Sequence, residues 1–163
     1  MTGCQAGRVS ETFSRDLTPD QLRQGINAWP TFAAQKISVT EIADDWTRAV
    51  IRLDLTPENA NYFGTAFGGS LFSMIDPFVV ILAANQLGID YAVWDKTVEI
   101  DFVRPGTGPV TATVDMPADV IDELRAATAG GEKVLRTFEV PLLAEDGSTV
   151  AIQKRLLYIR RKP

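Results

Sequence analysis

Apolar and polar residues alternate along much of this chain, and the stretches where alternation fails mark its other elements. From Asp45 to Leu55, Thr47, Ala49, Ile51, Leu53 and Leu55 interleave with Arg48, Arg52 and Asp54, the two-residue period of a strand with one buried face. Thr56-Pro57-Glu58-Asn59 stops it. Ser70 to Leu87 is apolar on most sides and ends at Gly88, a natural helix C-cap, which predicts a buried central helix. Beyond it the period returns to two. Val98, Ile100 and Phe102 alternate with Glu99 and Asp101, Arg104-Pro105-Gly106 turns the chain, and Val110, Ala112, Val114 and Met116 alternate with Thr111, Thr113 and Asp115. These two runs are expected to pair with each other. Ala118 to Ala129 reads as a short helix ended by Gly130-Gly131, and Lys133 to Leu143 and Ser148 to Arg160 as strands joined by the hairpin signal Glu145-Asp146-Gly147. Upstream, Thr18-Pro19-Asp20 supplies an N-cap, a first-turn proline and an acid for a helix running to about Ala28.

The resulting order is helix, strand, buried helix and four strands, with no repeat or linker that would divide it. An α+β fold accommodates it best, one curved antiparallel sheet wrapped around one long central helix. Residues 1–35 are expected to form an N-terminal segment with a short helix, and 36–163 a single domain.

Composition narrows the chemistry. The 163 residues are 45% apolar and 23% charged with a net charge of −5, the balance of an ordinary globular domain and the wrong sign for a nucleic-acid binder. Arg155, Arg160, Arg161 and Lys162 read as a short solvated cationic tail. The single cysteine, Cys4, allows no internal disulfide and reads as an incidental thiol, so a cytoplasmic protein is expected. Residues 1–16 lack a secretory signal, and the longest apolar run, Phe78 to Ala84, is too short to suggest membrane insertion. Histidine is absent altogether. That removes Ser-His and Cys-His nucleophiles, imidazole bases and most zinc sites, leaving carboxylates, hydroxyls, amides, lysine and backbone groups; no metal site and no cofactor are expected.

The segment that best fits such chemistry is Asn61 to Asp76. Gly64, Gly68 and Gly69 fall within six residues directly before the apolar helix, where a ligand can approach the backbone and unpaired N–H groups can hold developing negative charge. Asp76 follows Gly69 by seven residues, about two turns, with Ser73 three residues before it on the same helix face. A carboxylate partly buried in such a helix would be a stronger base, because desolvation disfavours its charged form. Pro77 cannot donate the helical hydrogen bond to Ser73 and so kinks the helix or marks its start. Asp76 is alternatively the N-cap of a helix with proline at its first position, and the glycines alternatively allow only close packing.

In this segment the chain resembles the hotdog-fold acyl-CoA thioesterases, in particular the group that includes the phenylacetate-pathway enzymes. Their loop with Asn, then Gly-Thr-x-His-Gly-Gly, then an apolar helix bearing Ser or Thr and an Asp, matches Asn61, Gly64-Thr65, Gly68-Gly69, Ser73 and Asp76 in spacing. A less characterised hotdog family is similar still more closely, sharing a Trp-Asp-Lys like Trp94-Asp95-Lys96 and an Asp-Pro like Asp76-Pro77. The resemblance implies the hotdog fold, acyl-CoA as substrate or ligand, and a homodimer or tetramer with sites where subunits meet. It also implies roles. The Gly68 N–H would polarise the thioester carbonyl with Gly69 supporting the approach, Asp76 would activate water or attack, Asn61 would position the water or the carboxylate, and Ser73 would orient the thioester or bind the attacking water. Gly64 and Phe67 would line the substrate site. Phe67 stands where the family has histidine, making that part of the pocket apolar. A non-catalytic acyl-CoA or fatty-acyl binding protein is the alternative; a hotdog dehydratase, which relies on histidine, ranks last. Phe63, Phe67, Phe72 and Phe78 are expected in the core or at a dimer contact, and Trp94, Asp95 and Lys96 at a partner's site or as an edge-strand ion pair.

Overall fold

A computed structural model describes residues 16–163; Cys4 and the rest of the first fifteen residues lie outside the described part. Helix α1 (Pro19–Asn27) starts where the sequence places it. The Thr18 hydroxyl accepts from the Gln21 N–H while the Gln21 side chain accepts from the Thr18 N–H, a reciprocal capping box. Leu22 and Ile26, one turn apart, are its buried face. After the short α2 (Pro30–Ala34) come strands β1 (Ile37–Ile42) and β2 (Arg48–Leu53).

Strand β1 escaped the alternation pattern for a physical reason. Its register shifts between Val39 and Glu41, a bulge that breaks the two-residue period and moves the next buried residue to Ile42. As the sheet's edge it is partly covered: Asn27 of α1 exchanges two hydrogen bonds with the Val39 backbone at 2.7 and 3.0 Å.

Two helical segments follow, α3 (Gly68–Ser73) and α4 (Phe78–Leu87), with a turn at 74–77 between them. Phe78, Val79, Leu82, Ala83, Ala84 and Leu87 of α4 are buried, and Gly88 closes the helix at φ +96°. The whole span Gly68–Leu87 is 20 residues, by length and composition alone enough to cross a membrane, although its longest unbroken apolar run is short. Here it serves as the core helix, with Phe78 fully buried 6.3 Å from the ring of Phe32.

The remaining elements are β3 (Tyr91–Phe102), β4 (Val110–Asp115), α5 (Ala118–Ala127), β5 (Lys133–Ala144) and β6 (Thr149–Arg161). All pairs in the six-stranded sheet are antiparallel, in the order β1-β2-β4-β5-β6-β3. The β5–β6 hairpin turns at Asp146-Gly147 as expected, with Gly147 at φ +80°. The expected pairing of Val98–Phe102 with Val110–Met116 does not occur. Strand β3 pairs with β6 at the far edge, while β4 lies between β2 and β5. Arg104-Pro105-Gly106 turns the chain out of the sheet edge, where the Val103 and Arg104 N–H groups donate to the Val150 carbonyl and Gly106 accepts from Ala66. Long-range pairing along the 13-residue β6 thus overrides a local turn signal.

Replacing Phe78 by alanine should lower unfolding free energy by about 3–5 kcal/mol, read from the denaturant midpoint at unchanged slope. At the hairpin, hydrogen bonds from the Ser148 hydroxyl and then its backbone N–H hold the Asp146 carboxyl below its ordinary value. A lowered folded value makes the contribution complete above the unfolded value and lost as pH falls through the folded one. Amide exchange at Gly147 and Ser148 should therefore gain an acid-induced opening component below about pH 4.

Candidate active site

The site begins with what Pro77 cannot do. Lacking an N–H, it interrupts the helical ladder: the Asp76 N–H donates to the Ser73 carbonyl at 3.1 Å and Phe78 to Ile75 at 3.0 Å, each a three-residue step that tightens the chain into a turn. A neighbouring strand repairs the break. Gln153 of β6, fully buried, donates through Nε2 to the carbonyls of Leu71 and Phe72, both at 2.9 Å. Its own carbonyl oxygen accepts from Arg155 Nη1 at 2.8 Å.

Arg155, with no solvent exposure, then reaches the turn itself. Its Nη2 donates to the main-chain carbonyl and to the Oδ1 of Asp76, both at 3.0 Å. Asp95 of β3 takes the other side of the guanidinium in a two-point contact, Nε to Oδ1 at 3.2 Å and Nη2 to Oδ2 at 2.6 Å. Two corrections to the sequence expectations follow. Arg155 is a core cation rather than part of a solvated tail; among its expected tail neighbours, Arg160 and Lys162 donate to the carbonyls of Gly131 and Ile89. Asp76 is not partly buried, for its side chain is 60% exposed, because the break at Pro77 turns it out of the helix packing. The edge-strand ion pair expected around Asp95 does form, but with Arg155 in the core, which sets a second carboxylate beside Asp76.

The glycine segment is shaped by Asn61. Its Oδ1 accepts from the N–H groups of Phe63 and Thr65, and its Nδ2 donates to the Thr65 hydroxyl and the Ala66 carbonyl, so all four bonds stay within residues 61–66. Gly64, at φ +75°, lets this loop close. Asn61 thereby positions the loop, and its side chain is spent there. Phe67 is the N-cap residue of α3, and Gly68 and Gly69 are its first two residues, whose N–H groups have no acceptor within a helix. Aromatic rings lie against both. A Cβ added at Gly68 would stand 3.1 Å from the Phe102 ring, and one at Gly69 would stand 2.5 Å from the Phe67 ring. Beside Gly68 opens a cleft of about 460 Å³ lined in part by Asn61, Phe63, Thr65, Leu71 and Phe102. Ser73 donates its hydroxyl back to the Gly69 carbonyl at 2.8 Å. Trp94 stacks on Tyr158 with ring centroids 3.9 Å apart.

Arg155 and Gln153 are the site residues that sequence reasoning missed. A signal existed: they occupy alternate positions with Ala151, Leu157 and Ile159, all buried, and a charge on the core face of a strand demands a partner. Changing Gln153 to leucine should cost about 3 kcal/mol or more of stability, at roughly 1–3 kcal/mol for each buried group left unpaired, as measured by denaturant unfolding. Stability unchanged by this substitution would show that Gln153 does not hold the break.

Comparison with known proteins gives the chain its relatives. No protein of curated function matches its sequence. Solved structures match its fold. A Pseudomonas aeruginosa protein of unknown function described as a probable thioesterase has a TM-score of 0.80 at 18% identity, covering 89% of this chain and 97% of its own. A Haemophilus influenzae thioesterase has a TM-score of 0.63 at 11% identity, covering 89% and 92%, and an Escherichia coli protein from the phenylacetic acid degradation operon has 0.56 at 18%, covering 87% and 91%. These likenesses establish the hotdog fold. Residues 21–159 match the family model described as Domain of unknown function (DUF4442), and the chain belongs to that family.

Proposed function

We propose that this protein hydrolyses acyl thioesters of CoA or of an acyl carrier, in a site completed by a second copy of the chain. The observation that carries this reading is the carboxylate of Asp76, open to solvent yet fixed at Oδ1 by a buried guanidinium, in a fold shared with structures named as thioesterases. A helix rises about 1.5 Å per residue, so Gly68 and Asp76, eight residues apart, are separated by roughly 12 Å along the helical span. One carbonyl group needs its oxyanion donor and its base or nucleophile within about 3 Å each. Two copies resolve the mismatch, Gly68 of one facing Asp76 of the other. Tyr62 (96% exposed), Phe63 and Phe102 beside the glycine loop form the apolar surface such a pairing would cover.

In the proposed reaction Asp76 takes a proton from water as the water oxygen bonds to the thioester carbon. The negative charge moving onto the carbonyl oxygen is met by the Gly68 N–H, with Gly69 supporting the close approach. Collapse of the tetrahedral species breaks the C–S bond, and the leaving thiolate takes the proton held by Asp76, which regenerates the carboxylate. Direct attack by Asp76, through an anhydride that water then opens, uses the same geometry. Asn61 and Gly64 would hold the loop in place, and Ser73 would fix the carbonyl of Gly69.

A second reading rests on Phe67. Its ring lies over Gly69 where the resembling thioesterases carry a histidine, an apolar cover suited to an acyl-CoA binding protein without turnover. A panel of aryl and fatty acyl-CoAs assayed with wild type, Asp76→Asn and Phe67→His separates the two. Hydrolysis by the wild type should fall at least about 100-fold in kcat with Asp76→Asn. Binding without turnover, with activity appearing only in Phe67→His, would support the binding protein, and equal rates in wild type and Asp76→Asn would remove Asp76 from the mechanism.

A further inference from the structure

Resting on the thioesterase reading of Asp76, we infer that Asp95 is a positioning residue for Asp76, acting through the buried guanidinium of Arg155. The hydrogen bonds of one nitrogen carry the argument. Arg155 Nη2 has two N–H groups and three acceptors: Asp95 Oδ2 at 2.6 Å, Asp76 Oδ1 at 3.0 Å and the Asp76 carbonyl at 3.0 Å. Asp95, held also through Nε, takes the shortest of them and fixes the plane of the guanidinium. What remains of Nη2 is shared between the backbone and side chain of Asp76, which sets both the turn and the direction of the carboxylate.

The charges follow the same division. Two carboxylates face one cation, and Asp95, 20% exposed, supplies the closer counter-charge, so Asp76 keeps a share of uncompensated negative charge at 60% exposure. Asp95 reaches this place from an edge strand. It is paired opposite Leu157, whose side chain is buried in the core, and the register shifts directly after it, between Asp95 and Thr97. A bulge of that kind re-aims a side chain. An inward-pointing charge on an edge strand also discourages unwanted strand addition. That purely structural role makes a different prediction.

Asp95→Asn keeps the shape and an acceptor oxygen while removing the charge. Asp76 then becomes the sole counter-charge of Arg155, drawn onto the guanidinium and away from the direction in which it meets the substrate. Steady-state kinetics with acyl-CoA should show kcat reduced at least about tenfold and KM changed less than about twofold, the pattern of misplacement at the reacting group. An unchanged kcat with a lowered melting temperature would mean that Asp95 is structural only, and would overturn the inference. A second measurement needs no substrate. Thermal melts of Asp76→Asn, Asp95→Asn and the double variant should be non-additive, the double variant losing more than the sum of the singles, because only it leaves the buried guanidinium without a carboxylate. Additive losses would also overturn the inference. If no acyl-CoA is turned over by the wild type, the proposed activity falls, while the melts still decide whether Asp76 and Asp95 are coupled through Arg155.

Discussion

A guanidinium with no contact with solvent has to be neutralised where it stands, and in this protein that requirement fixes the turn bearing Asp76. Placing Arg155 on the core face of β6 would cost several kcal/mol without partners. Asp95, Asp76 and Gln153 supply them. Arg155 and Gln153 in turn satisfy carbonyls of Leu71, Phe72 and Asp76 at the helix break imposed by Pro77. Each half of the arrangement would be unfavourable alone. An interrupted helix in the core leaves acceptors unpaired, and a buried cation leaves a charge unpaired; together they close a network joining β3, β6 and the helical span.

That network also explains the uneven legibility of the sequence. The β5–β6 hairpin, the capped α1 and strand β2 announce themselves through local signals, namely Asp-Gly, Thr-Pro and a clean two-residue period. Strand β1 and the first half of β3 do not, because bulges after Val39 and Asp95 break that period. The placement of β3 beside β6 is invisible to any local rule, since it depends on contacts between residues about 60 positions apart, such as Val98 with Arg155.

For the candidate site, the spacing of Asn61, Gly68, Gly69 and Asp76 marks the proposed segment, and the break at Pro77 was legible as a missing donor. The identity of the groups facing Asp76 was not. Arg155 lies 79 residues further along, in a stretch whose basic residues cluster near the chain end. Only the alternation of β6, which puts Arg155 in phase with Leu157 and Ile159, hinted that it belonged inside. Under the proposed function, the roughly 12 Å of helical rise between Gly68 and Asp76 would make a motif contiguous in sequence only half of the site in space.

The most direct test of the composite thioester site is a crystal structure of the protein bound to an acyl-CoA analogue whose thioester sulfur is replaced by a methylene group. The account predicts the analogue's carbonyl oxygen about 3 Å from the Gly68 N–H of one copy, with its carbonyl carbon facing the Asp76 carboxylate of another. An analogue bound away from Gly68, or bound there with no Asp76 within reach from either copy, would contradict it.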